Sequence, residues 1–465
     1  MPHLLVIGGS DAGISASMRA RELDPGTDVT MVIADAYPNF SICGIPFYLS
    51  GETPDWHDLA HRTREEIEAS VLSLRLDTRA VSIDAASKSV VLRAADGAEE
   101  VCAYDRVVIG TGAVPIEPPI DGIREQGVHL LRTMSDTFEL ERDLEGARSA
   151  VIVGGGYIGL EMADALIRRG LEVTLLEQAP AVMTTVDEDL GALIRAELEL
   201  HGVDVHTAAL VRRIQRKHDR LSVSGDGFDV TGDVVLMVVS VRPDSELARE
   251  AGVALGIREA IAVDQHMRTN LPDVFAAGDC VETWHRMLAA PVYMPLGTTA
   301  HKQGRIAGEN AVGGNREFEG SLGTQVVKVF DLAVARTGLR EREATAAGMD
   351  PLTTALETWD HKVYYPGATR MAIRTTGDRR DGRLLGAQIV GDHRGQISKR
   401  IDVVAAALYA EMEVEELSDL DLSYTPPLSS PWDPVQMAAQ DWVRGSRPLA
   451  ASEADVMAGD MPAGA

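Results

Sequence analysis

Two kinds of residue in this chain are equipped for chemistry: its three cysteines and two clusters of glycine. The cysteines are Cys43, Cys102 and Cys280. Their number is odd, their spacings are wide and no Cys-x-x-Cys occurs, which excludes a disulfide framework and a thiolate zinc site. Such usage predicts a reducing, cytoplasmic setting. Thiol chemistry stays open, because a thiolate is both a nucleophile and a redox group. The glycines stand in Gly8-Gly9-Ser10-Asp11-Ala12-Gly13 and in Gly154-Gly155-Gly156-Tyr157-Ile158-Gly159. The second cluster has the full G-x-G-x-x-G spacing: Gly154 permits a tight turn, Gly156 lets the backbone approach a pyrophosphate, and Gly159 lets a helix pack on a strand. The helix N-terminus that follows presents free N–H groups to the phosphates. Glu177 stands 23 residues after Gly154, placed to accept hydrogen bonds from an adenosine ribose. A 2′-phosphate there would meet a like charge, and Gln178 and Ala179 bring no cation. The second cluster therefore predicts NADH in preference to NADPH.

The first cluster keeps Gly8 and Gly13 but has Ser10 in the middle. Where its ribose-binding carboxylate is expected stands Ile33, followed by Ala34 and Asp35, and Asp35 is the candidate for that contact. The twelve histidines show no metal-ligand spacing, and no metal site is expected.

Strands and helices must position these residues. Each glycine cluster lies between a short, continuously apolar strand and a helix: strand 4–7, helix 14–23 and strand 29–34 in the first unit, strand 150–153, helix 160–169 and strand 173–176 in the second. Continuous apolar runs suit parallel sheets covered on both faces. Two correctly placed units indicate a domain duplication. Between them, 104–115 reads as a buried strand entering a glycine turn at Thr111 and Gly112, and 116–122 as a linker. Farther on, a strand over 269–279 ends at Ala277-Gly278-Asp279. A carboxylate at that place suits a ribityl hydroxyl of FAD, which NAD lacks. From about 322 the pattern changes to an α+β module, with strands 324–329, 372–375 and 384–390 and a helix over 401–408; residues 446–465 predict a disordered tail. The fold class expected is α/β, with two dinucleotide-binding (Rossmann-like) domains and a C-terminal α+β domain. The first domain is discontinuous, 1–120 with 250–321; the second is 121–249 and the third 322–445.

Composition excludes some partners. With 44 Lys+Arg against 71 Asp+Glu, the net charge of −27 argues against nucleic acid and against anionic membranes. No apolar stretch of about 18 residues predicts a spanning helix, and the first residues lack the pattern of a signal peptide.

Taken in order, over residues 3 to about 445, these motifs resemble the pyridine nucleotide–disulfide oxidoreductase superfamily, in which FAD, NAD and interface domains follow one another. Two-cysteine members carry Cys-x4-Cys; here Tyr48 takes the second place. The segment Asn39-Phe40-Ser41-Ile42-Cys43-Gly44-Ile45-Pro46-Phe47-Tyr48 is similar to the single-cysteine branch of coenzyme A–disulfide reductases, persulfide reductases, and NADH oxidases and peroxidases. The resemblance implies that Cys43 is the redox centre. Pro46, near the start of a short helix, predicts N–H groups aimed at the thiol and a lowered pKa. Cys102 and Cys280 read as structural. The resemblance further implies a homodimer with shared active sites, in which tyrosines of one subunit reach the cysteine of the other as proton donors. Their matches are Tyr364, with Tyr365 as packing neighbour, and Tyr424. Tyr157 is implied to stack over the flavin, and Glu161 to orient the nicotinamide.

The function implied is FAD-dependent oxidation of NADH, with Cys43 reducing a low-molecular-weight disulfide or persulfide that supplies the second sulfur. One alternative is an NADH oxidase or peroxidase working through a sulfenic acid; peroxidases carry a histidine where this chain has Asp11. Another is a non-catalytic, redox-sensing flavoprotein. Coenzyme A as the thiol is disfavoured: Arg19, Arg21, Arg62 and Arg64 are available, but Glu22 stands where a second arginine is common and Ser70 where a lysine is frequent.

Overall fold

The structure is a computed structural model that describes residues 2–70 and 73–446. It contains two compact units that divide between Gly323 and Thr324.

The first unit is built on two five-stranded parallel sheets. One has the spatial order Val274–Ala276, Arg106–Ile109, His3–Ile7, Asp28–Val32, Ser73–Arg75. The other runs Val128–Leu130, Val234–Met237, Ser149–Val153, Glu172–Leu176, Asp204–His206. In each, the strand that enters a glycine turn is central, and Leu4, Leu5, Val6, Val151 and Ile152 are at most 2% exposed. Full burial of one such side chain stabilises by about 1.5–3 kcal/mol. The strand His3–Ile7 pairs in register with Asp28–Val32, Ile7 opposite Val32, as Val153 lies opposite Leu176 in the second sheet.

Each turn leads directly into a helix, Asp11–Leu23 and Tyr157–Arg168. Both helices begin three residues before the expected starts, 14 and 160. Ser10 and Gly156 are extended N-caps whose carbonyls accept from Ile14 N and Leu160 N, each at 3.0 Å. The glycines that look like turn are thus already cap and first turn. The second strand of the first unit ends at Val32 rather than 34. The strand expected over 269–279 is only Val274–Ala276, because Asp273 adopts a φ of +63° just before it.

The helix Gly297–Ala311 lies along Asp11–Leu23, and small residues make that approach close. A Cβ on Gly304 would come within 2.2 Å of the Ala12 carbonyl oxygen, and one on Gly308 within 2.1 Å of that of Ala16. Ala12, Ala16, Ala20, Ala300 and Ala307 fill the seam. The opposite face of the first sheet is covered by Ile83, Val90 and Leu92 of a three-stranded antiparallel sheet.

The second unit is an antiparallel sheet ordered Gln325–Val329, Leu332–Gly338, Leu384–Asp392, Arg370–Asp378, Pro351–Trp359, with the helices Ile397–Tyr409 and Pro434–Ser446. The expected strands and helix of this module are present: Gln325–Val329 is one residue shorter than expected, and Arg370–Asp378, Leu384–Asp392 and Ile397–Tyr409 are longer. Of the expected tail, Ser446 closes the last helix and 447–465 lie outside the described residues. Among the described residues no helix is long and apolar enough to cross a membrane.

Candidate active site

The two glycine turns have the geometry of dinucleotide cradles. Gly8 and Gly154 take φ of +110° and +116°, a left-handed conformation that side chains resist. A Cβ on Gly13 would lie 1.8 Å from the Gly8 carbonyl oxygen, and one on Gly159 1.9 Å from that of Gly154, so both positions are closed to side chains by the helix–strand contact. A Cβ on Gly156 would instead meet no protein atom within 4 Å. Nothing in the protein demands glycine there, and the open space suits an approaching pyrophosphate. In the first turn Ser10 makes no capping bond to its helix.

Glu177 stands at the second turn as the spacing predicts. Its carboxylate accepts from Gly155 N at 2.6 Å and from Ala179 N at 2.7 Å, which fixes it beside the turn. Tyr157, the first residue of the following helix, accepts a hydrogen bond from Thr185 Oγ1 at 2.9 Å.

The first turn is flanked by Thr111-Gly112 and Gly278-Asp279. Gly278 N donates to the buried Gln303 Oε1 at 3.0 Å, and Gly112 has a φ of +74°. Thr111 turns its hydroxyl back onto the Asp244 carbonyl. Burial, then the charge of Asp11, raises Asp279 to about 6, while Arg132 opposes that rise. Asp35 is also raised by burial, and its Oδ1 accepts from Tyr37 N at 2.9 Å. Two unpartnered polar atoms complete the picture. Asn39 Nδ2 is buried without an acceptor, on a residue whose backbone N bonds Gly9 O, and the Tyr293 hydroxyl is buried near Asp279. Buried polar groups are normally satisfied, so orphans beside a glycine turn fit a bound group. The two turns thus fit FAD and a nicotinamide dinucleotide.

Cys43 lies in a short turn, Ile42–Gly44, that precedes the five-residue helix Ile45–Leu49. Its thiol is not lowered as expected. Desolvation and then the carboxylates of Glu161, Asp11 and Asp279 raise it, although the residue still reaches solvent. The N–H groups expected to lower it do not outweigh desolvation and three negative charges. Those charges come from three places: the first turn, the end of the strand Val274–Ala276, and the helix of the second turn. Tyr48, where two-cysteine relatives would carry their second thiol, donates to Glu141 at 2.8 Å, and Arg169 bonds the Leu49 carbonyl, so both anchor the Cys43 segment.

Cys280 is fully buried against the Ile109 and Ala277 carbonyls, and burial pushes its thiol up to about 11. Cys102 sits on the strand Glu99–Ala103. Neither has a setting that favours a thiolate, as expected for structural cysteines.

In the second unit, Tyr364 and Tyr424 are neighbours, and desolvation and then the influence of Tyr364 raise the Tyr424 phenol. Tyr364 is 74% exposed. Tyr365 packs edge-on against His361, ring centres 5.8 Å apart. The two tyrosine loops are tied by buried Arg400, which donates to the Asp360 carbonyl at 2.7 Å, the Leu428 carbonyl at 3.3 Å and the Asp433 carboxylate at 3.1 Å. Val363, Leu428 and Trp432 are exposed apolar neighbours in sequence.

Of the arginines considered for a polyphosphate, Arg19, Arg21 and Arg64 are engaged inside the chain, and Arg62 is exposed. Arg19 bonds Glu309 at 2.7 Å and Glu22 at 2.9 Å, and Arg21 bonds the Pro25 and Thr27 carbonyls. Arg64 pairs with Glu68 at 2.7 Å, and Ser70 bonds the Glu66 carbonyl. Two residues were not found from the sequence. Arg132 donates to the Thr111 carbonyl at 3.0 Å and bears on both Asp35 and Asp279. His301 bridges Ser15 Oγ, at 2.9 Å, and Asp11 Oδ1, at 3.3 Å. No local spacing marks either one.

Comparison with known proteins agrees with this geometry. Residues 2–304 match the family described as pyridine nucleotide-disulphide oxidoreductase, and residues 324–434 match the dimerisation domain of the same family. The chain is 33% identical over 440 residues to an NAD(P)H sulfur oxidoreductase (CoA-dependent) of Pyrococcus abyssi, covering 94% of this chain and 97% of that one. It is 31% identical over 443 residues to an NADH oxidase of Methanocaldococcus jannaschii, covering 94% and 98%. The solved structure of an NAD-dependent persulfide reductase from A. fulgidus superposes with a TM-score of 0.91 at 36% identity, covering 95% of this chain and 83% of that one. The turns, the following helices and the antiparallel second unit are all accounted for by one assignment: the chain belongs to the pyridine nucleotide-disulphide oxidoreductase family.

Proposed function

We propose that the protein oxidises NADH and, through Cys43, reduces a low-molecular-weight disulfide or persulfide. The observation that carries this reading is the position of Cys43, a single cysteine on which carboxylates from both nucleotide turns act. The first turn, formed by segments 1–120 and 250–321, holds FAD with Gly8, Ser10, Gly13, Thr111, Gly112, Gly278 and Asp279. The second, within 121–249, holds the nicotinamide dinucleotide with Gly154, Gly156 and Gly159. Glu177 accepts from its ribose hydroxyls and repels a 2′-phosphate, which makes NADH the preferred reductant. Tyr157 would stack over the flavin, and Glu161 would orient the nicotinamide.

FAD, when bound, supplies the means of converting a two-electron hydride donor into a thiol reductant. The protein's own part is sulfur chemistry. The Cys43 thiolate attacks one sulfur of R–S–S–R; a Cys43–S–S–R bond forms, the substrate S–S bond breaks, and RS⁻ leaves and takes a proton. Two electrons, delivered from NADH, then cleave Cys43–S–S–R to the Cys43 thiolate and a second RS⁻. The sum is NADH + H⁺ + RSSR giving NAD⁺ + 2 RSH. The phenols of Tyr424 and Tyr364 serve as proton donors to the leaving RS⁻. These tyrosines act across a homodimer, from the unit at 322–445 of one subunit to Cys43 of its partner.

The relatives include enzymes named for coenzyme A and for sulfur. In this chain Arg19 and Arg21 are spent on internal partners and Glu22 adds negative charge, so the substrate is a thiol lacking a dense polyphosphate. Oxygen reduction is the second reading, supported by the NADH oxidase relative; Asp11 in place of a histidine counts against peroxide. The test is NADH consumption by purified holoenzyme with a persulfide, a small disulfide, coenzyme A disulfide and O2 in turn. A sulfur acceptor outpacing O2 by tenfold or more supports the proposal, and the reverse order overturns it.

A further inference from the structure

The two glycine turns copy each other bond by bond, and the copy fails at one side chain. Gly8 N donates to Val32 O at 2.8 Å, and Gly154 N to Leu176 O at 2.8 Å. Gly110 N donates to Ile7 O at 2.8 Å, and Val238 N to Val153 O at 2.9 Å. Ile33 N donates to Arg75 O at 2.8 Å, and Glu177 N to His206 O at 2.8 Å. Asn39 N donates to Gly9 O at 3.1 Å, and Met183 N to Gly155 O at 2.8 Å, both residues having positive φ. Each bond of one turn has its counterpart in the other, with Val32, Ile33 and Asn39 matched in order by Leu176, Glu177 and Met183, so Ile33 occupies the place of Glu177 and Gly9 the place of Gly155.

What those side chains do differs. Glu177 lies against Gly155, with Oε2 taking the Gly155 N–H and lone pairs left for a vicinal diol. Ile33 lies across Gly9 instead: a Cβ on Gly9 would fall 2.1 Å from Ile33 Cδ1. The residue is 6% exposed, so this wall is hydrocarbon. The next carboxylate, Asp35, aligns with Ala179, two positions beyond the place of Glu177, and its Oδ1 accepts from Tyr37 N.

We propose that Ile33 withholds from the first turn the ribose-binding carboxylate that the second turn keeps, so that FAD is held through its flavin, ribityl and pyrophosphate portions while its adenosine ribose meets only an apolar surface. Residue 33 then sets how firmly FAD is retained. The inference rests on the reading of the first turn as the FAD site. Hydrogen bonds to a charged acceptor are among the stronger polar contacts, and restoring one by Ile33→Glu gains affinity only if it is missing.

The experiment titrates flavin-stripped full-length protein with FAD and, separately, with FMN, which lacks the adenosine, following flavin fluorescence. Ile33→Glu is expected to bind FAD about tenfold more tightly than the unaltered chain and FMN equally well. Ile33→Gln, a neutral acceptor of similar size, gains in the same direction by less, and serves if the glutamate variant fails to fold. Asp35→Asn is expected to leave FAD affinity within about twofold. Unchanged FAD affinity in folded Ile33→Glu and Ile33→Gln overturns the inference, as does a tenfold loss in Asp35→Asn, which would mean that Asp35 already satisfies the diol. Failure of the unaltered protein to bind either flavin overturns the assignment of the first turn itself, and the inference with it.

Discussion

His301 and Asp11 face each other from two packed helices, Nε2 3.3 Å from Oδ1, and the same imidazole reaches Ser15 Oγ at 2.9 Å through Nδ1. Asp11 is one of the three carboxylates that raise the Cys43 thiol. Removing its charge by Asp11→Asn therefore lowers the thiol pKa, and alkylation of Cys43 by iodoacetamide should reach half its limiting rate at a lower pH than in the unaltered holoenzyme. A midpoint indifferent to Asp11 would show that its charge does not reach the sulfur.

Asp279 offers a pH test of the flavin-free protein. Its folded pKa, about 6, lies above the ordinary 3.8, so the folded state binds the proton more tightly than the unfolded one. Its favourable contribution is full below about 4 and is lost as pH rises through 6. Above that, ionised Asp279 costs roughly 2 to 3 kcal/mol. Apoprotein carrying Asp279→Asn should melt higher than the unaltered apoprotein at pH 8, and the gap should close toward pH 4. An equal gap at both pH values contradicts the assignment.

The pinned carboxylate of Glu177 predicts nucleotide choice. Glu177→Ala should raise the KM for NADH roughly tenfold and leave that for NADPH nearly unchanged or improved, since one set of hydrogen bonds and one repulsion disappear together. Steady-state kinetics with both nucleotides measure this. An equal loss with both would assign Glu177 to holding the turn alone.

Tyr364 and Tyr424 are neighbours that act on each other, so they should work as one unit. Tyr364→Phe and Tyr424→Phe should each lower kcat with a disulfide substrate by about tenfold, and the double variant should be no worse than the poorer single one. Multiplicative losses would separate their roles.

Much of this architecture was legible in the sequence because its signals are local. The continuously apolar runs before Gly8 and Gly154, the glycine spacings and the acidic residue at 177 each sit within one strand–turn–helix unit, where a few residues determine the conformation. The helix starts were misplaced because Ser10 and Gly156 serve as caps through backbone geometry, without a side-chain capping bond. Asp35 shows where spacing runs out: the sequence puts Ile33 where the carboxylate is expected, and the matched hydrogen bonds of the two turns then place Asp35 two positions beyond it. Arg132 and His301 could not be found, since their partners Thr111 and Asp11 are 21 and 290 residues away. The direction of the Cys43 shift was misread for the same reason. A nearby helix is visible in its own segment, whereas Asp11, Glu161 and Asp279 are brought to it only by the fold.

The most direct test is the comparison of Cys43→Ser with the unaltered holoenzyme in two assays run side by side: NADH oxidation with a persulfide or small disulfide, and NADH oxidation with ferricyanide, which takes electrons without a thiol. The predicted result is a loss of at least a thousandfold with the sulfur acceptor and a ferricyanide rate within about twofold of the original. A Cys43→Ser enzyme that still reduces the sulfur acceptor at the original rate would contradict the account.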